Sequence, residues 1–125
     1  MRAVTTGKEI RSFKDLHVWQ EAVVLVKDTY SLCAALPKEE LYGLSSQMKR
    51  AAVSIPSNIA EGHAKNHRAE YRQSVYVALG SLAELDTQLS LAKELRFVNS
   101  PDVVSMVARM DRIRAMLLTL GKRLA

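Results

Sequence analysis

Cysteine is almost missing from this chain. Cys33 stands alone, which excludes a disulfide framework within the chain and any metal site built from thiolates only. Glycine and proline are scarce, five and three, too few for the turns of an all-β sandwich. One Trp, four Tyr and two Phe leave little for an exposed base-stacking platform. No apolar run approaches the ~20 residues of a membrane span, and no signal-peptide pattern opens the chain. The expectation is a cytoplasmic protein with no membrane partner. Acidic residues are outnumbered, 13 Asp+Glu against 18 Lys+Arg, for a net charge of +5. What is present is ordinary globular material: 125 residues, 48% apolar and 25% charged, enough for one domain with a real core.

The basic excess is uneven. Residues 1–14 carry four basic groups and one acidic, and residues 98–125 carry five and two, whereas 15–36 carry one and three. A basic face attracts phosphate polymers nonspecifically, and that attraction falls with salt.

Residues 1–12 have no sustained period and read as a mobile tail, leaving 13–125 as the folded domain. Four segments of helical period follow. The first, Asp15 to Leu36, repeats Leu16, Trp19, Val23, Val26, Tyr30 and Cys33 at spacings of three and four, with Asp15 as candidate N-cap and Pro37 as stop. The second, Lys38 to Glu61, carries Leu44, Met48, Ala51, Ala52, Ile55 and Ile59 on one stripe, with Gly62 as its stop. Pro56 lies inside it and lacks the N–H that would bond to Ala52, so a kink is expected, or else two helices broken there. The third, His67 to Arg96, steps through Tyr71, Val75, Ala78, Leu82, Leu85, Leu89 and Ala92 in a heptad-like pattern that favours shallow, left-handed packing. After the break Asn99-Ser100-Pro101-Asp102, the fourth runs to Leu124 with Val103, Val107, Met110, Ile113, Leu117, Leu120 and Leu124 inward. No alternating strand pattern competes. The fold class is all-α: a left-handed, antiparallel up-down-up-down four-helix bundle with a Pro kink in helix two.

Catalytic and metal chemistry find little footing. Glu39 and Glu40 are adjacent and diverge on a helix, and Cys33 lies on an apolar stripe. His63 and His67 could share a metal only on one continuous helix, which Gly62 and Asn66 argue against. The five glycines form no phosphate loop. We expect no enzyme, no cofactor and no metal.

Two constellations remain. Gln47, Arg50, Ser54, Ser57, Asn58 and Glu61 share a broad face beside the stripe of helix two, and helix three carries Gly80, Ser81, Glu84 and Gln88. The structural reading joins Arg50 to Glu84 or Glu61, with Ser54 and Asn58 satisfying backbone opened by Pro56 and the small residues allowing close approach. The functional reading is a polar ligand pocket between the helices. The second constellation is basic: Lys65, Arg68 and Arg72 at the entry to helix three, and Arg109, Arg112 and Arg114 on helix four. They are either a solvated surface or contacts to a phosphate backbone, weakly selective for sequence. Lys122 and Arg123, at the last turn of helix four, belong to the same basic constellation, and for them the plainer reading is a favourable interaction with the helix dipole.

Several stretches carry a family resemblance: Phe13 through Trp19, Tyr42 through Ala52, Ser54-Ile55-Pro56-Ser57-Asn58-Ile59-Ala60-Glu61-Gly62, and Ala78 through Leu85. In this order they resemble the bacterial, four-helix-bundle 23S rRNA intervening-sequence protein family over about residues 13–120. The resemblance implies a small cytosolic bundle that assembles as a homopentamer, with no enzymatic activity. It also implies a distant branch that binds nucleic acid as a reverse-transcriptase accessory. The family name records genomic location rather than a ribosomal RNA contact. Val18, Val24 and Leu25, with Val77, Leu79 and Leu91, lie off the main stripes and are expected to serve an interface. Two functions compete: binding of RNA or DNA backbone through the basic residues, or an oligomeric scaffold that recruits a protein partner.

Overall fold

The computed structural model describes residues 4–5 and 8–125. Part of the stretch expected to be a tail thus lies outside the described residues. Within it, Val4–Thr5 (β1) and Lys8–Glu9 (β2) pair antiparallel, Val4 opposite Glu9 and Thr5 opposite Lys8. This small hairpin corrects the expectation that no strand forms. Four helices then carry the fold: α1 His17–Cys33, α2 Leu44–Ala64, α3 Arg68–Glu94 and α4 Ser100–Arg123. Each helix packs on the next, and α1 packs on α4, closing an all-α four-helix bundle. Contacts between helices run in opposite senses along the chain: Ser54 meets Ser81 while Gly62 meets Ser74, and Asp28 meets Arg109 while Glu21 meets Arg112. Neighbouring helices are therefore antiparallel. Among the described residues no helix is long and apolar enough to cross a membrane.

The stripes expected on helices two and three are the ones buried. Met48, Ala52, Ile55 and Ile59 face Val75, Ala78, Leu82 and Leu85, all fully enclosed. On α1 the core face is rotated by about one position from the expected stripe. Val18, Ala22, Leu25, Thr29, Leu32 and, as expected, Cys33 are buried, as is Leu36 beyond the helix; Leu16, Trp19 and Val26 pack partly buried against the core, while Tyr30 is half exposed beneath Lys49, whose Nζ sits 4.9 Å from the ring centre. Val18 and Leu25 thus belong to the core and not to an interface; Val77 and Leu91 do remain about half exposed. On α4, Met106 takes the inward place expected of Val107, which faces out. Buried Thr29 costs little because its hydroxyl donates to the Leu25 carbonyl, 2.8 Å away.

Two punctuation marks act differently from expectation. Asp15 is not the cap of α1: it closes a capping box with Ser12 around a 3₁₀ turn, Phe13–Asp15, and its carboxylate accepts from the Ser12 and Arg11 amides. Gly62 does not stop α2. It is buried inside the helix, where a Cβ would lie 2.6 Å from Ser74 Cβ, so it lets α2 and α3 touch. The stop falls at Lys65, followed by Asn66 in the left-handed region at φ 53°. Helical structure continues through Pro56, which removes the alternative of two helices broken there. Asn58 reaches back up α2, but to the Ser54 carbonyl (2.8 Å) and hydroxyl (3.0 Å), not to the Ala52 carbonyl that Pro56 leaves free.

Candidate nucleic-acid interface

The antiparallel arrangement decides where the charges go. The start of α1, the end of α2, the start of α3 and the end of α4 all lie at one end of the bundle. Lys14 ahead of α1, the basic turn between α2 and α3 and the basic end of α4 therefore converge. Lys14, Lys65, Arg68, Arg72, Lys122 and Arg123 gather there, against Asp15, Glu61 and Glu70. The opposite end, with the 34–43 and 95–99 connections, carries Lys38, Lys93 and Arg96 against Glu39, Glu40, Glu94 and Asp102. The bundle is electrically polar along its length.

Arg68 and Arg72 sit one turn apart on α3 and lean onto the last turn of α4. Arg68 Nη2 donates to the Arg123 carbonyl, and Arg72 Nε donates to the Gly121 carbonyl at 3.3 Å. These carbonyls have no partner within their own helix and carry its negative dipole end, so two cations stabilise them. The Arg72 guanidinium also lies 5.0 Å from the Tyr76 ring centre. Gly121 makes room for that ring: a Cβ there would meet Tyr76 at 3.3 Å. Each guanidinium has five N–H donors and spends one on α4, leaving the rest available to an anion. A shallow groove between them is lined by His67, Arg68, Arg72, Tyr76 and Leu124. Lys65 pairs with Glu61 at 3.4 Å, an exposed contact worth little.

The other three candidate arginines are elsewhere and otherwise occupied. Arg109 is largely buried between α4 and α1, with Nη1 2.8 Å from Glu21 Oε1 and Nε 3.1 Å from Asp28 Oδ2. Arg112 shares Glu21 at 3.6 Å and is more exposed. Arg114 faces the other side of α4, pairing with Asp86 on α3 and with Asp111. The six sequence candidates are thus split: Lys65, Arg68 and Arg72 come together, whereas Arg109, Arg112 and Arg114 carry their own carboxylates. Lys122, Arg123 and Lys14 join the basic end. The sequence already counted Lys122 and Arg123 among the basic residues, with the helix dipole as their plainer reading, and the bundle's antiparallel order brings them beside Arg68 and Arg72.

The polar row between α2 and α3 is a groove, lined by Gln47, Arg50, Ala51, Ser54, Ser81, Glu84 and Gln88. Ser54 and Ser81 hydroxyls meet across it at 2.8 Å. Among the described residues, Arg50 forms no ion pair with Glu84 or Glu61, contrary to the expected network; Glu61 turns to Lys65 instead. Nor does Gly80 mediate close approach, since a Cβ there would meet nothing within 4 Å.

His63 ends within α2, its ring edge-on to Tyr71 at 5.7 Å, while His67 is the N-cap residue of α3, so the two do not share a helix. Among the described residues no group of three His, Cys, Asp or Glu could hold a metal. Burial pushes the Cys33 thiol above its ordinary value, although nearby Lys49 and a contact to Ser45 pull the other way. Burial likewise raises the Tyr71 phenol.

The family model for 23S rRNA-intervening sequence proteins matches residues 14–119. No curated protein gives a significant match. Among solved structures, the chain is similar to a protein with unknown function from the S23 ribosomal protein family of Bacteroides thetaiotaomicron VPI-5482. The TM-score is 0.78 at 21% identity, over 84% of this chain and 98% of that one. At that identity the likeness is one of fold.

Proposed function

From the premise that this chain belongs to the 23S rRNA-intervening sequence protein family, we propose that it is a non-enzymatic, oligomeric bundle that binds nucleic-acid backbone through its basic end. One observation carries this reading: antiparallel packing brings Lys14, Lys65, Arg68, Arg72, Lys122 and Arg123 from four separate elements to one end of the bundle. Phosphate contacts of this kind position a polymer without reading its sequence. The role expected of Arg109, Arg112 and Arg114 narrows accordingly, because a guanidinium held by carboxylates releases few counterions from a phosphate chain.

The protein works as a homopentamer in the cytoplasm, where several weak phosphate sites act together. Support for assembly comes from a shallow apolar trough between α1 and α2, lined by Trp19, Val23, Val26, Val53 and Pro56, which water covers poorly. The same trough favours the second reading, a scaffold that recruits a protein partner. We read the bundle as left-handed, from the heptad-like spacing on α3, and α2 as bent at Pro56, from the missing N–H.

A binding titration with structured RNA, single-stranded RNA and duplex DNA separates the two readings. Charge reversal at Arg68 and Arg72 abolishes binding if the basic end is the site, and reversal at Arg109 and Arg112 has a smaller effect. No binding of any of the three at ~50 mM salt, where phosphate contacts are strong, selects the scaffold.

A further inference from the structure

We propose that the groove between α3 and the end of α4 takes an unpaired nucleobase, which makes single-stranded nucleic acid the ligand class of the basic end. This rests on the phosphate-binding reading and adds a second contact beside the phosphates. Aromatic residues are scarce, and the sequence predicts no exposed stacking platform. Of the tyrosines exposed among the described residues, Tyr30 lies beneath Lys49 and Tyr42 sits at the opposite end of the bundle. Tyr76, however, is 43% exposed and stands beside the arginines. Its ring is fixed from two sides. Buried Gly121 on α4 offers no side chain, so the tip of the ring closes onto that helix; a Cβ there would meet Tyr76 Cζ and Oη at 3.3 Å. The Arg72 guanidinium, held by the Gly121 carbonyl, lies over the ring. Ring and guanidinium together make a flat, cationic, partly exposed platform, and both kinds of surface stack on nucleobases.

The rest of the groove suits a base better than a phosphate. It holds about 800 Å³, and Leu124 and Ala69 give it apolar wall. A phosphate gains nothing from that wall, whereas a base removes apolar surface from water there. Gln73 lines the same groove, and its carboxamide carries both donors and an acceptor, so it meets the polar edge of a base without selecting one. Arg68 and Arg72 keep unspent donors for the phosphates flanking that base. An aromatic face set among cations along a groove holds single strands with little preference for sequence. In a duplex the bases are paired and stacked inward, so a duplex reaches the arginines and leaves the platform and the apolar wall in water.

The test is fluorescence anisotropy of the full chain with three labelled probes of equal phosphate number: single-stranded oligothymidylate, the same strand with abasic residues throughout, and a duplex. At one salt concentration, oligothymidylate is expected to bind about fivefold or more tighter than the abasic strand. Tyr76→Leu keeps apolar bulk against Gly121 but has no flat face. It is expected to remove that difference while leaving the abasic-strand and duplex affinities, and their salt slopes, in place. Tyr76→Phe is expected to keep the difference. Salt-dependent binding of the base-bearing and abasic strands with equal affinity overturns the proposal and leaves the phosphate reading standing. No binding of any probe at ~50 mM salt overturns both. A preference that survives in Tyr76→Leu overturns the proposal, because the base would then sit elsewhere. Equal weakening of all three probes by Tyr76→Leu also overturns it, since the ring would then serve only to hold Arg72.

Discussion

Replacing Gly62 with alanine sets two effects of known sign against each other. Alanine is favoured over glycine within a helix by about 1 kcal/mol. At position 62, however, the new methyl would lie 2.6 Å from Ser74 Cβ and 3.0 Å from Tyr71 Cδ1. Both neighbours belong to an α3 that is held in place along its whole length, so the methyl must push the helices apart. Overpacking of that kind costs about 1–3 kcal/mol, which outweighs the propensity gain and leaves a net loss of about 1 kcal/mol. Gly80→Ala gains the same propensity with nothing to strike, and is expected to stabilise by about 0.5–1 kcal/mol. The assay is urea unfolding at fixed chain concentration, with the slope checked for constancy. Combining Gly62→Ala with Ser74→Gly removes the nearest obstacle and is expected to recover about 1 kcal/mol of coupling. The reasoning is refuted if Gly62→Ala stabilises as Gly80→Ala does, or costs the same whether or not Ser74 is present.

Leu25→Ala is expected to cost about 2–5 kcal/mol and Tyr30→Ala under about 1 kcal/mol, since the first empties a buried site and the second removes a half-exposed ring; thermal melts of the pair check which face of α1 is the core. Arg109→Ala is expected to cost about 1–2 kcal/mol, because Asp28 loses its partner and Glu21 keeps only the longer contact to Arg112, and Arg112→Ala about 0.5 kcal/mol or less, as measured by denaturant midpoints at low and high salt. Burial favours the neutral forms of Cys33 and Tyr71, so their folded values lie above the ordinary 9.0 and 10.0. The unfolded chain loses these protons first. Their stabilisation is therefore complete below pH 9 and declines as pH rises from there through the raised values. Cys33→Ala with Tyr71→Phe is expected to flatten that decline in midpoints taken from about pH 8 to 11.

Legibility followed the uniqueness of the apolar pattern. On α3 one set alone, Val75, Ala78, Leu82, Leu85, Leu89 and Ala92, keeps the three-four spacing along the whole helix, and that stripe is the buried one, while Tyr76, Val77 and Leu91 fall outside it. On α1, Val23, Val24, Leu25 and Val26 are consecutive, so spacing alone cannot phase the helix, and bulk drew Tyr30 inward although its hydroxyl and Lys49 hold it at the surface. Met106 and Val107 pose the same ambiguity on α4. Gly62 has the composition of a stop and the role of a contact, and the difference is set by Ser74, twelve residues away on another helix. The candidate site was half legible. The cluster Lys65, Arg68 and Arg72 is local in sequence, whereas the partners of Arg109 lie 81 and 88 residues away, and no local pattern announces them.

The dependence of nucleic-acid affinity on salt, measured for the wild-type chain and for Lys122→Ala/Arg123→Ala, tests the basic end most directly. These two side chains lie at the exposed end of α4, outside the core, so the fold is preserved. With duplex DNA from about 50 to 200 mM salt, log affinity is predicted to fall linearly with log salt, and the double variant to flatten that slope by about 2. A slope unchanged by the variant, or flattened equally by Arg112→Ala, would contradict the account.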